Sequence, residues 1–487
     1  MRLSYISSAL SLILKDIGIV AFIPIFVALF YHEHHAILPF TTAGFLSLFL
    51  GMLLKKVTKN ISSDSLNDIK RSEALMVVTL SWVSFGFIAA IPYLFYGFSF
   101  TDSLFEAVSG ITTTGATIFE SYAYPHSLLF WRSFTQWLGG MGIIVLFVAI
   151  LPQFAVAGRQ MFFAEAPGPT EDKFTPRIRN TASALWIIYA GLTLVCGVCL
   201  WLAGMHPFDS ICNSMSTLSA GGFSPNSLSI YGYHSNLINW IIIIFMFIAG
   251  SSFVLQSRVI TKRKLSLFWK SEEFKVYAIS MLVLSGLLCL ALCLKQHYSF
   301  FHSITASFYQ VLTLATSTGS ASEDFSLWSY DAKVFLFLTM FISSCSGSAG
   351  GGLKITRWIL IFKYMKNELY KILHPKAVLS VKIDNKVVAP DVLRQTVFFA
   401  FCFFGMWVLS AVILTVAEQD SLIGLSSAIS SIGDIGPALE PAIGPLGSYA
   451  HLRDISKLIL ILNMLVGRLE IIPFLVLFHK DFWSIKK

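Results

Sequence analysis

Thr112-Thr113-Thr114-Gly115-Ala116 closes a short, moderately apolar stretch that opens at Phe100-Thr101-Asp102-Ser103, and the arrangement returns three times. Leu218-Ser219-Ala220-Gly221-Gly222 follows Phe208-Asp209-Ser210, and Thr316-Ser317-Thr318-Gly319-Ser320 follows Phe301-His302-Ser303. Gly433-Asp434-Ile435-Gly436-Pro437 follows Asp420-Ser421. Asp, Ser and Thr at the openings suit helix N-caps. The roughly ten to fifteen residues that come next are too few to cross a bilayer. With Gly115, Gly221, Gly319 and Gly436 aligned, the period is about one hundred residues, the mark of an internal repeat.

Longer apolar runs lie between these stretches. Leu75–Phe98, Trp131–Phe154, Leu237–Leu255, Tyr277–Leu294, Val397–Val416 and Leu458–Phe478 match the ~20 apolar residues that span a membrane. Val334–Cys345 leads into a broken span. Of the 487 residues 55% are hydrophobic and 13% charged, the latter about half the share of a soluble protein. The pattern predicts an all-α integral membrane protein: about ten transmembrane helices, with four re-entrant pore half-helices in fourfold pseudo-symmetry within one chain. Residues 1–72 form an N-terminal pair of anchor helices; 73–180, 181–273, 274–390 and 391–487 form the four repeats, the third containing a broken helix. Met1–Phe30 reads as an anchor rather than a signal peptide, because its apolar run holds Lys15 and Asp16 and lacks a small-residue cleavage site.

Basic residues fix the expected orientation. Lys55–Arg71, Arg159–Arg179, Arg258–Lys275 and Lys354–Arg394 hold 24 of the 35 Lys and Arg residues and are assigned to the cytoplasm. The net charge of +8 is thus a topology signal and a lipid-headgroup contact, not a nucleic-acid footprint. Ser99–Trp131, Met205–Asn236, Gln296–Ala332 and Glu418–Leu452 hold no Lys or Arg and eleven acids, among them Asp102, Glu106, Glu120 and Asp434. An outer face of that composition attracts cations.

Enzyme classes find little support. Lys354–Arg394 is too short for a nucleotide-binding domain, so no nucleotide cofactor is expected on this chain. Cys196 and Cys199 have C-x-x-C spacing inside an apolar helix, where they read as small apolar filler. Tyr31-His32-Glu33-His34-His35 reads as a solvated hairpin rather than a metal site. Gly347-Ser348-Ala349-Gly350 has no suitably placed helical His for a serine-protease loop, and the glycines before Lys354 lack P-loop spacing.

The glycine loops point to another chemistry. A dehydrated cation needs rings of oxygens, and backbone carbonyls supply them without full charges. Lining a narrow hole that way requires left-handed or alternating backbone, which glycine tolerates best. Half-helices ending at such loops aim their negative C-terminal dipoles at the cation.

These loops resemble those of the Trk/Ktr/HKT superfamily of cation transporters, and details are closest to its bacterial TrkH/TrkG branch. The resemblance rests on TTGAT (Thr113–Thr117), QWLGGMGI (Gln136–Ile143), AGGFS (Ala220–Ser224), GSAGGGLKITR (Gly347–Arg357), IGP (Ile435–Pro437) and GRLE (Gly467–Glu470), in the family's order. It implies that Thr114, Gly115, Ala220, Gly221, Thr318, Gly319, Ile435 and Gly436 supply the ion-coordinating carbonyls, flanked by Thr113, Ser219, Ser317 and Asp434. Glycine in all four loops implies potassium preference. Asp434 departs from the family, which more often has Asn there. It either tightens cation binding or turns away to pair with a backbone donor.

The resemblance further implies potassium uptake through a gated channel-like pore of the inner (plasma) membrane, with potassium as permeant ligand and no cofactor. A sodium- or proton-coupled symporter is the alternative. Expected partners are the lipid membrane, a second copy of the chain in a homodimer and a cytosolic nucleotide-binding regulatory subunit of TrkA type, with no nucleic acid. Gly347, Ser348, Ala349, Gly350, Gly351 and Gly352, followed by Lys354, sustain a helix poorly, since each glycine costs about 1 kcal/mol against alanine. The family implies that this loop gates ion flow from below the filter. Arg468, an intramembrane arginine two residues from Glu470, is implied to lie near the pore; a salt bridge between spans is the other reading.

Overall fold

The computed structural model describes residues 2–57, 71–150 and 178–480. The sequence readings on residues 58–70, on 151–177 (most of the Arg159–Arg179 segment and the end of the Trp131–Phe154 span) and on 481–487 lie outside the described residues. Six described helices are long and apolar enough to cross a membrane, or seven if the bent pair Asn236–Ala249 and Phe253–Lys262 is one span. The chain is therefore a multi-pass membrane protein.

Polarity is inverted relative to a water-soluble fold. Phe26, Phe30, Phe49, Leu194, Leu202, Phe401 and Val416 lie exposed, while Ser109, Thr112, Gln136, Thr313 and Ser430 are fully buried. Apolar side chains face a solvent that is itself apolar, and polar ones converge inward. Two hydrophobic clusters carry the packing. One gathers the N-terminal helices around Trp82, Trp131 and Phe105; the other surrounds Tyr189, Tyr277 and Tyr309.

Helices Leu3–Val20 and Ile37–Val57 lie in close contact because small residues meet. A Cβ on Gly18 would stand 2.9 Å from the Gly44 carbonyl oxygen. Ser11 Oγ donates to Gly51 O at 2.8 Å and Ser47 Oγ to Leu14 O at 2.6 Å. The His-rich turn between them, Tyr31–His35, is not simply solvated. Glu33 accepts from His126 N (2.7 Å), Ser127 N (3.1 Å) and Ser127 Oγ (3.0 Å), capping helix His126–Ile150, while Tyr31 stacks on His126. Burial raises the Glu33 carboxyl, but the hydrogen bonds from His126 and Ser127 outweigh it and hold it below the usual carboxylate range.

Four short helices precede the glycine loops: Phe100–Ile111, Pro207–Ser219, Phe300–Ala315 and Ser421–Ile432. The longest has 16 residues, about 24 Å, less than the ~30 Å hydrocarbon thickness. Side-chain caps form at Asp420, which accepts from Leu422 N and Ile423 N, and at Ser99, one residue ahead of the expected position. The second helix starts with Pro207, whose missing N–H needs no cap.

Each helix after a glycine loop breaks, where the sequence suggests only one break. Leu237–Leu255 is not one span: Asn236–Ala249 gives way to Phe253–Lys262 at 92°. Gly250 has no room for a side chain, since a Cβ would lie 2.4 Å from Tyr277 Oη. The backbone freed there is paired, Cys345 N donating to Gly250 O at 2.9 Å and Phe253 N to Gly347 O at 3.0 Å. Leu458–Phe478 is likewise divided: Asp454–Leu469 ends at Glu470 (φ 64°, ψ 135°), whose carboxylate is held by Arg357. Gly142 interrupts His126–Ile150 with nearly the same backbone (φ 69°, ψ 142°). In the third case Tyr330–Thr339 is followed by irregular chain up to Lys354 and then by Ile355–Leu373. Beyond that helix a two-stranded hairpin, Lys382–Ile383 with Lys386–Val387, turns at Asp384-Asn385 and docks through Asp384 Oδ1 on Glu272 N at 2.7 Å.

Candidate functional site

The four loops meet as a closed ring. A Cβ on Gly115 would stand 2.1 Å from Gly221 O, on Gly222 2.0 Å from Thr318 O, on Gly319 2.1 Å from Ile435 O and on Gly436 2.5 Å from Thr114 O. Each loop thus touches the next, and the fourth returns to the first. All four glycines have positive φ, at 85°, 77°, 74° and 101°. Thr113, Ala220, Ser317 and Asp434, two residues earlier, are left-handed at 52° to 59°. The carbonyl-bearing residue between them donates its N–H back to its own short helix: Thr114 to Ser109 O, Gly221 to Ser216 O, Thr318 to Thr313 O and Ile435 to Ser430 O, at 2.8–2.9 Å. Backbone oxygens of equivalent residues are therefore held at one level.

This geometry shifts the second loop by one residue. The sequence alignment matched Ala220 and Gly221 to Thr114 and Gly115, with Ser219 as the flank. In the structure Gly221 and Gly222 occupy those places, Ala220 takes the left-handed place of Thr113, and Ser219 corresponds to Thr112. The physical reason is that the required positive φ falls on the second of two adjacent glycines. Gln136 was not singled out from sequence, yet it reaches the ring: its Nε2 donates to Gly221 O. No sequence signal beyond its place in QWLGG marks it.

Asp434 is fully buried. Its Oδ1 accepts from Thr114 Oγ1 at 3.1 Å, so its partner is a hydroxyl of the adjacent loop rather than a backbone donor. The outer acids are also less free than composition suggests. Glu106 is buried and paired with Arg132 (Nε–Oε1 2.7 Å), one residue beyond the Lys- and Arg-free segment. Arg132 also donates to Ser224 O and Thr117 Oγ1 and lies between the Phe119 and Phe223 rings, joining the first two loops behind the ring. Asp102 pairs with the buried Lys457 at 2.6 Å. Glu120 stays exposed at a cavity of about 380 Å³. Gly115, Gly222, Gly319 and Gly436 all line that cavity.

On the opposite side the segment Gly347–Lys354 is seated under the loops. Gly351 N donates to Ser317 Oγ at 2.7 Å. A Cβ on Gly350 would stand 2.5 Å from Thr316 O, and on Gly351 2.7 Å from Gly433 O, so only glycines allow this approach. Lys354 Nζ binds Ser344 Oγ (3.2 Å), Ser348 Oγ (3.3 Å) and Gly350 O, holding the segment in a compact turn. Arg468 donates to Ala349 O at 3.0 Å and to Gly139 O and Gly140 O. It therefore ties this segment to helix His126–Ile150 through carbonyls. Glu470, two residues further on, is held by Arg357.

A ring of uncharged oxygens at one level can stand in for the hydration shell of a small monovalent cation. The fold and this ring define a multi-pass membrane protein of the cation-transporting class. The chain belongs to the TrkH family of cation transport proteins, whose profile matches residues 40–485. It is similar to the Trk system potassium uptake protein TrkH of Salmonella typhimurium, at 36% identity over 95% of both chains. The protein of that name from Vibrio parahaemolyticus is 34% identical over 99% of this chain and 100% of its own. A crystal structure of the potassium transporter TrkH from Vibrio parahaemolyticus aligns with a TM-score of 0.88, at 32% identity, over 99% of this chain and 100% of that one.

The register of the second loop has a direct consequence. Gly222→Ala adds a Cβ against Thr318 O at a residue with φ 77°, a clash that no rotamer change relieves. Cation flux in proteoliposomes is expected to lose its ion preference, as at any of the four ring glycines. Gly191→Ala, in a helix with nothing within 4 Å of its Cβ position, keeps the wild-type preference. A wild-type preference in Gly222→Ala would refute the register.

Proposed function

We propose that this chain is the translocating subunit of a potassium uptake system, passing potassium down its electrical gradient through the carbonyl ring. The observation that carries this reading is the closed cycle of glycine-to-carbonyl contacts around the four loops. The carbonyls of Thr114, Gly221, Thr318 and Ile435, with Gly115, Gly222, Gly319 and Gly436, form the filter; Thr113, Ala220, Ser317 and Asp434 flank it. The relatives carry potassium uptake in their names, which supports potassium as the ion. Uptake rather than coupled symport is favoured because the ring oxygens are uncharged and hold no exchangeable proton.

The four short helices enter the membrane from outside and return, and with about ten crossings they make four pseudo-symmetric repeats after an N-terminal pair. Boundaries near residues 72, 180, 273 and 390 separate these units. The protein resides in the inner membrane as a homodimer. The basic segment Lys354–Arg394, with its helix and hairpin, receives a cytosolic nucleotide-binding subunit of TrkA type. Gly347 to Gly352 form the gate, clasped by Lys354 and Arg468.

Uptake of potassium and sodium into proteoliposomes, wild type beside Gly115→Ser, tests the reading. Potassium-selective flux that loses its preference in the variant is expected, since a side chain there meets Gly221 O. A wild type that carries no cation, with cytosolic partner and ion gradients supplied, overturns it. Arg468→Ala removes the tie to Ala349 O and is expected to raise potassium flux several-fold, by about the loss of one charge-assisted hydrogen bond. Unchanged or lower flux in correctly inserted protein counts against the gate.

A further inference from the structure

The four ring residues are supported from behind in different ways. Thr114 Oγ1 pairs with Thr112 Oγ1 at 2.8 Å, and Thr318 Oγ1 pairs with Thr316 Oγ1 at 2.8 Å. Ile435 fills the same space with an apolar side chain packed near Gly433, whose Cβ position lies 3.1 Å from Ile435 Cδ1. Gly221 has no side chain, and Gly222 follows it, so this part of the ring has the greatest intrinsic backbone freedom. The space behind Gly221 is nevertheless filled. A Cβ there would stand 2.5 Å from Gln136 Cδ.

Gln136 comes from the first repeat and is fully buried. Its Oε1 accepts from Ser216 Oγ at 2.8 Å and from Phe223 N at 3.1 Å. Those two bonds orient the carboxamide so that Nε2 donates to Gly221 O, the ring carbonyl itself. The helix carrying Gln136 is fixed in depth by its neighbours. Gly139 allows approach to the first short helix, where a Cβ would meet Ile111 O at 1.8 Å. Tyr189 Oη donates to Trp137 O at 2.9 Å, and Trp137 Nε1 donates to Thr193 Oγ1 at 3.1 Å.

We propose that Gln136 is a positioning residue for ion selectivity: its carboxamide supplies from the neighbouring repeat the support that Thr114 and Thr318 supply within their own loops. It holds the Gly221 carbonyl at the ring and blocks the rotation that consecutive glycines permit. Because it occupies one lone pair of that oxygen, the four carbonyls are not equivalent toward the ion. The proposal rests on reading the ring as a potassium filter.

The test moves the support from one repeat to the other. Gln136→Leu keeps the bulk but not the donor. Its potassium-to-sodium uptake ratio in proteoliposomes is expected to fall roughly tenfold, the scale of one lost buried hydrogen bond. In the double variant Gln136→Ala/Gly221→Thr a new hydroxyl stands beside Ser219, as the hydroxyl of Thr114 stands beside that of Thr112. Gly221 lacks a positive φ, so its backbone accepts the side chain. The double variant is expected to regain most of the selectivity that Gln136→Ala loses, which a merely structural role for Gln136 would not produce. Should Gln136→Leu fail to insert, Gln136→Met, of similar length without a hydrogen-bond donor, is read for the same loss. A wild-type ratio in these single variants, or a double variant no more selective than Gln136→Ala, overturns the proposal. Absence of potassium flux in the wild type would instead strike the filter reading beneath it.

Discussion

The approach of each ring glycine to a carbonyl of the next loop is the constraint on which the rest of the structure depends. Four backbones meet where a single methyl group would collide with an oxygen 2.0 to 2.5 Å away. That closeness demands glycine with positive φ at four places and requires short helices that deliver the loops to one level. It also requires polar support behind the loops in a molecule whose outer surface is apolar. The hydroxyls of Ser109, Thr112 and Thr313, each donating to a backbone carbonyl, and the Glu106–Arg132 pair serve that need. In a medium without water, each such group needs a protein partner.

The breaks in the helices that follow the loops belong to the same logic. A helix running straight past the ring would bring its own backbone against the loops. Gly250 and Gly467 lie within van der Waals reach of neighbouring chain, where a Cβ on Gly467 would stand 2.4 Å from Ile432 O. The carbonyls that the breaks free are used: Gly139 O, Gly140 O and Ala349 O receive Arg468, and Gly250 O receives Cys345 N. Arg468 is therefore solvated by backbone dipoles, which removes the need for a carboxylate at that depth.

Much of this was legible in the sequence because it rests on local rules. The period near one hundred residues, the glycine in each loop and the apolar runs between them follow directly from residue type. The register of the second loop did not, because Ala220-Gly221-Gly222 offers two adjacent glycines and only backbone conformation separates them. The acids of the outer segments misled for a different reason. Partners of Glu106 and Asp102 lie 26 and 355 residues away, and composition within a segment says nothing about them. The break at Gly142 sits inside an apolar run, and the one at Glu470 goes with an ion pair to Arg357, 113 residues away; no periodicity reports either.

The proposed function requires that four backbone carbonyls, one from each loop, hold the ion that crosses. The most direct measurement is anomalous diffraction from crystals grown with rubidium in place of potassium. A peak is expected on the axis of the ring, within coordination distance of the carbonyl oxygens of Thr114, Gly221, Thr318 and Ile435. A well-ordered ring with no peak, or a peak only at side-chain carboxylates such as Asp434 or Glu120, would contradict it.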